Sequence, residues 1–167
     1  MSKQEIKHKR VLALDFGTRG FGYAVMEGPH QLIDWGVREV RKNKNPRSLK
    51  KVEQLIDRYQ PDALVLEDYA RQDKRRPDRV RVLTGRIKEA AIQAGTKAHT
   101  FSRQKIKEAF VATGAVSRYE IATTLSRWFP ELAGRMPPKR KPWMPEHPQM
   151  GIFDAVALAM TYFFFER

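Results

Sequence analysis

The stretch Val11-Leu12-Ala13-Leu14-Asp15-Phe16-Gly17-Thr18-Arg19-Gly20-Phe21-Gly22-Tyr23-Ala24-Val25-Met26 decides the fold. Its first four residues are apolar without interruption, the pattern of a strand covered on both faces. Asp15 ends the run. The glycines at 17, 20 and 22 then permit a tight hairpin with close backbone approach, and keep bulk away from a ligand over Asp15. Tyr23 to Met26 reads as the returning strand. Gly28-Pro29 turns the chain again, and Gln31 to Val40 alternates as a third strand. Links this short join antiparallel neighbours, so the three strands form a meander.

Working outward, Asn45-Pro46 breaks the chain. Leu49, Val52, Leu55, Ile56 and Tyr59 at helical spacing then predict an amphipathic helix, ended by Pro61. Ala63-Leu64-Val65-Leu66 is a second wholly apolar run, and it stops at Glu67. A charge run over 71–81 leads into a helical stripe of Val80, Leu83, Ile87, Ala90, Ala91 and Ala94, with Gly95 as its C-terminal cap. Lys97 to Phe101 predicts a short strand. Ser102 caps a helix carrying Ile106, Phe110 and Val111, which Gly114 stops. Ser117 and Glu120 form a capping box for the next helix. Ile121, Leu125, Trp128 and Phe129 make its apolar face, which puts Trp128 in the core. Residues 130–149 hold six prolines and are expected as loop; Gly151 to Phe165 is the last helix. The order β-β-β-α-β-α-β-α-α-α gives an α/β fold with a mixed sheet of three antiparallel then two parallel strands, flanked by helices. A length of 167 residues suits one domain over 1–167.

The chain carries 32 Lys+Arg against 19 Asp+Glu, a formal charge of +13, which argues for a polyanionic partner. Nucleic acid is the common one and an anionic membrane surface the rival. Cysteine is absent, which excludes disulfides, thiolate metal sites and cysteine nucleophiles. No segment reaches the roughly 18 apolar residues of a membrane span, and Met1 to Arg10 lacks the apolar run of a secretory signal. The expectation is a cytoplasmic protein with no membrane partner. The length also excludes two other readings of Asp15-Phe16-Gly17-Thr18: protein kinases and two-lobed actin-like ATPases need far longer chains.

Two buried-looking strands each end in a carboxylate, Asp15 and Glu67, and ligands of open α/β sheets gather beyond the carboxyl ends of strands. Asp154 is the third acid of interest: every other residue from Gly151 to Met160 is apolar or glycine. A buried carboxylate needs a partner, and metal coordination supplies one. Three carboxylates without cysteine suit a hard cation, Mg²⁺ with Mn²⁺ as a substitute, rather than Zn²⁺. Each acid also has a plainer explanation. Asp15 could close a turn, and Glu67 could pair with an arginine. Asp154, in the first turn of its helix, could complement the helix dipole.

The basic segments flank these acids in sequence: Arg71, Lys74, Arg75 and Arg76 after Glu67, and Lys139, Arg140 and Lys141 before Asp154. They are candidates for phosphate contacts. Tyr69, Phe101, Trp128 and Trp143 are candidate base-stacking aromatics, with Tyr69 and Trp143 preferred.

VLALDFGTRGFGYAV, LVLEDYA, FSRQKIKEAFVATGAVSRYEIATTL and GIFDAVALAM, in that order from Val11 to Met160, together resemble the RuvC-type Holliday junction resolvases. The resemblance implies an RNase H-like fold and a homodimeric, Mg²⁺-dependent endonuclease with two ions per site, acting on four-way DNA junctions. It implies no small-molecule cofactor. By position, Asp15, Glu67 and Asp154 would be metal ligands, Lys107 would lie near the scissile phosphate, and Arg118 would contact DNA; Lys105 is a further candidate for DNA contact. The sequence departs from the family in three places. Gly151 stands where a fourth acid or a histidine is usual, so His147 is a candidate replacement. Ala70 stands where a wedging aromatic is usual, one residue after Tyr69. Asp-Phe-Gly-Thr replaces Asp-Pro-Gly-Ser, closer to YqgF-type proteins that act on RNA. An RNA nuclease and a non-catalytic nucleic-acid-binding module are the alternative readings.

Overall fold

A computed structural model describes residues 9–69 and 77–166. Strands β1 (Arg10–Gly17), β2 (Gly20–Glu27) and β3 (Leu32–Glu39) form the expected meander. Helix α1 (Lys44–Tyr59) leads to β4 (Ala63–Glu67), which lies parallel to β1. Helix α2 (Asp78–Gln93) leads to β5 (Lys97–Phe101), parallel to β4. Helices α3 (Arg103–Phe110), α4 (Arg118–Trp128) and α5 (Met150–Phe165) complete the chain. The sheet has five strands in the order β3-β2-β1-β4-β5.

The apolar run of β1 is covered on both sides, as its lack of alternation requires: Val11 through Leu14 are fully buried. Val11, Ala13 and Val65 face a core shared with α3, α4 and α5. Leu12, Leu14, Leu64 and Leu66 face the other core, made with α1 and α2. Strand alternation then fixes where the acids point. Leu14 pairs with Leu66, so Asp15 and Glu67 stand side by side on neighbouring parallel strands. Both continue the series that faces α5.

The helix starts follow their caps. The Ser102 hydroxyl accepts from the Lys105 N–H at 3.2 Å. Ser117 and Glu120 form the full capping box. Helix α2 is followed by Gly95 at φ 75°, a left-handed position that glycine fills without strain.

Three expectations need correction. Pro46 does not break the chain: it lies in the first turn of α1, where its missing N–H is no loss. Pro130–Arg135 is a 3-10 turn rather than irregular loop. Trp128 is 47% exposed, with its ring stacked on Phe110 at 5.9 Å; the apolar face of α4 runs past the edge of the core.

Helix α5 closes the sheet at short range. A Cβ on Gly22 would lie 2.2 Å from the carbonyl carbon and oxygen of Gly151. The first turn of α5 therefore sits backbone-to-backbone on β2. Gly20, at φ 138°, is fixed by the neighbouring strand β3, since a Cβ there would lie 2.0 Å from the Arg38 carbonyl oxygen.

Candidate active site

Asp15, Glu67 and Asp154 are each 6% exposed, and each comes from a different element. Asp154 is the fifth residue of α5, so it is not a first-turn acid and the helix dipole does not account for it. Among the described residues, two arginines tie the cluster. From the first turn of α3, Arg103 reaches Glu67 at 3.3 Å and Asp154 at 3.8 Å. From the first turn of α4, Arg118 grips Asp154 with a fork: Nε donates to Oδ1 at 3.2 Å and Nη2 donates to Oδ2. The same Nη2 lies 2.5 Å from Glu146. Burial would lower the Arg118 pKa, but Asp154, with Asp15 and Glu146, outweighs burial and raises it. Arg118 therefore remains a cation at every accessible pH.

The Tyr69 hydroxyl accepts from the Phe16 N–H at 3.1 Å and donates to Asp15 Oδ1 at 3.1 Å. Its ring packs on the α1–α2 side of the sheet. Asp15 also borders a cleft of about 460 Å³ between the β1–β2 hairpin and the loop 145–149, lined in part by Arg19, Glu146, His147 and Gly151. The hairpin wall of this cleft is held by Arg79 of α2. Its Nη2 donates to the carbonyls of Gly17 and Thr18, each at 3.1 Å.

The other candidates are distributed as follows. Lys107 is exposed one turn beyond Arg103 on α3, and so shares its face. Lys105 turns away, pairing with Glu108 at 3.5 Å and lying 4.7 Å over the Phe165 ring. Phe101 is stacked on Phe165. His147 is exposed on the cleft wall and its Nδ1 accepts from the Gln149 N–H at 3.1 Å. Lys139, Arg140 and Lys141 are exposed on the loop before α5. Trp143 is 77% exposed beside them, with the Lys141 ammonium 5.4 Å over its ring. Arg71, Lys74, Arg75 and Arg76, with Ala70, lie outside the described residues.

Sequence reasoning missed Arg103, Glu146 and Arg79. Arg103 carried a signal, since it stands two residues past the end of β5 and strand ends converge. Glu146 sits in a proline-rich loop whose path no local pattern specifies.

Among the described residues, no three Asp, Glu or His side chains stand as a ready metal site. Among the described residues, the guanidinium groups of Arg103 and Arg118 supply countercharge there. The donor chemistry nevertheless fits a hard divalent cation: three buried carboxylates, all oxygen donors, already gathered around positive charge.

Acids at the carboxyl ends of β1 and β4, a third acid on the helix over them, and a chain charge of +13 fit a nuclease of the RNase H-like class. The model of the family described as crossover junction endodeoxyribonuclease RuvC matches residues 11–162, and the chain belongs to that family, which is one of metal-dependent nucleases. A crossover junction endodeoxyribonuclease RuvC of Protochlamydia amoebophila is 35% identical over 137 residues, covering 76% of this chain and 79% of the relative. The protein of the same name from Akkermansia muciniphila is 26% identical over 164 residues, covering 93% and 90%. The solved structure of T. thermophilus RuvC in complex with Holliday junction substrate superposes with a TM-score of 0.71 at 21% identity, covering 96% of each chain. That likeness bears on the fold. Among the described residues no helix is long and apolar enough to cross a membrane.

Proposed function

We propose that this protein is a structure-selective endodeoxyribonuclease that resolves four-way DNA junctions by paired nicks. Family membership carries the reading, and the convergence of Asp15, Glu67 and Asp154 gives it a chemical centre. These three side chains would hold two Mg²⁺ ions, with Mn²⁺ as a substitute. Bound there, the ions would lower the pKa of attacking water and stabilise the leaving oxygen. Glu146 and His147, on the wall of the cleft that Asp15 borders, are candidates to supply what Gly151 lacks.

The protein groups have separate tasks. Asp15 and Glu67 are set by strand register and cannot drift apart without breaking the β1–β4 pairing. Arg103 and Arg118 neutralise the acids before substrate arrives. As cations close to the acids they are placed to transfer their charge to a phosphodiester, which adds to the role expected of Arg118. Lys107, on the same face as Arg103, stands where it would offset charge developing on the reacting phosphate. The exposed cations of 139–141 would hold the backbone of the DNA arms, and Trp143 would stack on an unpaired base. A four-way junction has two-fold symmetry, so paired nicks imply a C₂ homodimer with one site per protomer. The chain as a whole would act as one nuclease domain in the cytoplasm, needing no small-molecule cofactor.

The test is cleavage of end-labelled four-way junction beside matched linear duplex and structured RNA, with Mg²⁺, Mn²⁺ or EDTA. Metal-dependent paired nicks confined to the junction, giving 5′-phosphate ends and lost in Asp15→Asn without loss of binding, are the expected outcome. Cleavage of the RNA alone, or junction binding without cutting in any metal, would overturn the proposal.

A further inference from the structure

Tyr69 is better placed to hold a carboxylate than to stack on a base. It stands two residues beyond Glu67, yet its hydroxyl reaches across to the end of β1. The Phe16 N–H occupies one lone pair of that hydroxyl at 3.1 Å, which fixes the direction of the O–H. Among the described residues, two acceptors lie within reach: Asp15 Oδ1 at 3.1 Å and the Phe16 carbonyl at 3.4 Å. The charged and nearer one takes the proton. The ring is wedged against the α1–α2 core, so stacking would require it to leave both the core and the carboxylate. With Oδ1 engaged, Asp15 Oδ2 faces the start of α5: a Cβ on Gly151 would lie 3.9 Å from it.

Building on the metal-site reading above, we infer that Tyr69 is a positioning residue for Asp15. Its hydroxyl sets the rotation of that carboxylate, and so which oxygen faces Asp154. It also joins the segment leaving Glu67 to the end of β1, so that two acids from separate strands are braced by one side chain. The residue therefore belongs to the support of the metal ligands and not to the surface that reads DNA.

Three proteins test this: wild type, Tyr69→Phe and Tyr69→Ala. Free Mn²⁺ is titrated by electron paramagnetic resonance, branched-DNA affinity is measured in EDTA, and the Asp15 carboxyl carbon is followed by NMR in metal-free, ¹³C-aspartate-labelled protein. Tyr69→Phe keeps the ring and should fold. It should weaken Mn²⁺ binding about 10- to 100-fold, as removal of a ligand-orienting hydrogen bond does. It should also shift the Asp15 carboxyl resonance, lower kcat more than it raises KM, and leave DNA affinity in EDTA unchanged. Wild-type Mn²⁺ affinity and an unmoved resonance in Tyr69→Phe would overturn the inference. So would a Tyr69→Ala variant that lost only DNA affinity, since that is what a stacking ring does. If the wild type binds no Mn²⁺ that depends on Asp15, the metal-site reading itself fails, an outcome distinct from a silent Tyr69→Phe.

Discussion

Gly22→Ala is a one-carbon change aimed at the seat of α5. The added Cβ would lie 2.2 Å from the carbonyl group of Gly151 and 2.7 Å from its Cα, all backbone atoms with no rotamer to yield. An ordinary carbon–carbon contact is about 3.5 Å, so the first turn of α5 must retreat by roughly 1.3 Å. Gly22 is paired with Asp15 across the β1–β2 ladder, so the retreat takes place at the acids themselves. Overpacking of this kind costs about 1–3 kcal/mol. At about 2–4 °C per kcal/mol for a chain of this size, Tm should fall by roughly 2–12 °C. Moving Asp154 about 1 Å from its partners should slow single-turnover junction cleavage on the order of 10²-fold. Calorimetry and quenched-flow cleavage measure the two effects. Gly17→Ala is the control, because a Cβ there meets nothing within 4 Å. A Gly22→Ala protein with wild-type Tm would refute the backbone contact. A lowered Tm with wild-type cleavage would refute the link between that contact and the placement of Asp154.

Ser117→Ala removes the acceptor for the Glu120 N–H and should cost about 1 kcal/mol, read as a urea midpoint shift. Because α4 positions Arg118, cleavage should fall as well. The Tyr23 phenol is 3% exposed, and its pKa is raised from 10.0 first by burial and then by Asp34. A raised folded-state pKa leaves stability intact below pH 10 and erodes it as pH climbs through the folded value, by up to about 1.4 kcal/mol per pH unit per group. Urea midpoints from pH 9 to 11.5 should therefore decline, and Tyr23→Phe should flatten that decline; a parallel curve would refute the assignment. Trp143→Ala should weaken junction binding by about 1–3 kcal/mol, the worth of one stacked base, while Tm stays fixed because the side chain is 77% exposed.

What could be read from the sequence was what local chemistry dictates. Uninterrupted apolar runs marked β1 and β4, and serine caps marked the starts of α3 and α4. Because β1 and β4 are neighbours, Asp15 and Glu67 meet where their positions at the strand ends indicated. The partners of the acids were hidden, since Arg103 and Arg118 are single arginines among many until the helices are docked. Gly22 was assigned to a hairpin and to space for a ligand, whereas helix backbone fills that space. Tyr69 was read as an aromatic face, but its hydroxyl is what the fold uses. Trp128 was placed in the core by spacing alone, which does not say where a core stops.

The third acid arrives last. Asp15 and Glu67 lie in the first half of the chain, whereas Asp154 is carried by α5, which can settle on Gly22 only after residues 150–165 have left the ribosome. Until then a growing chain holds two acids of the three and cannot complete the centre. If the three acids form the proposed metal centre, synthesis order delays it: a product truncated before the closing helix would lack its third ligand, and the capacity to cut would await the docking of α5.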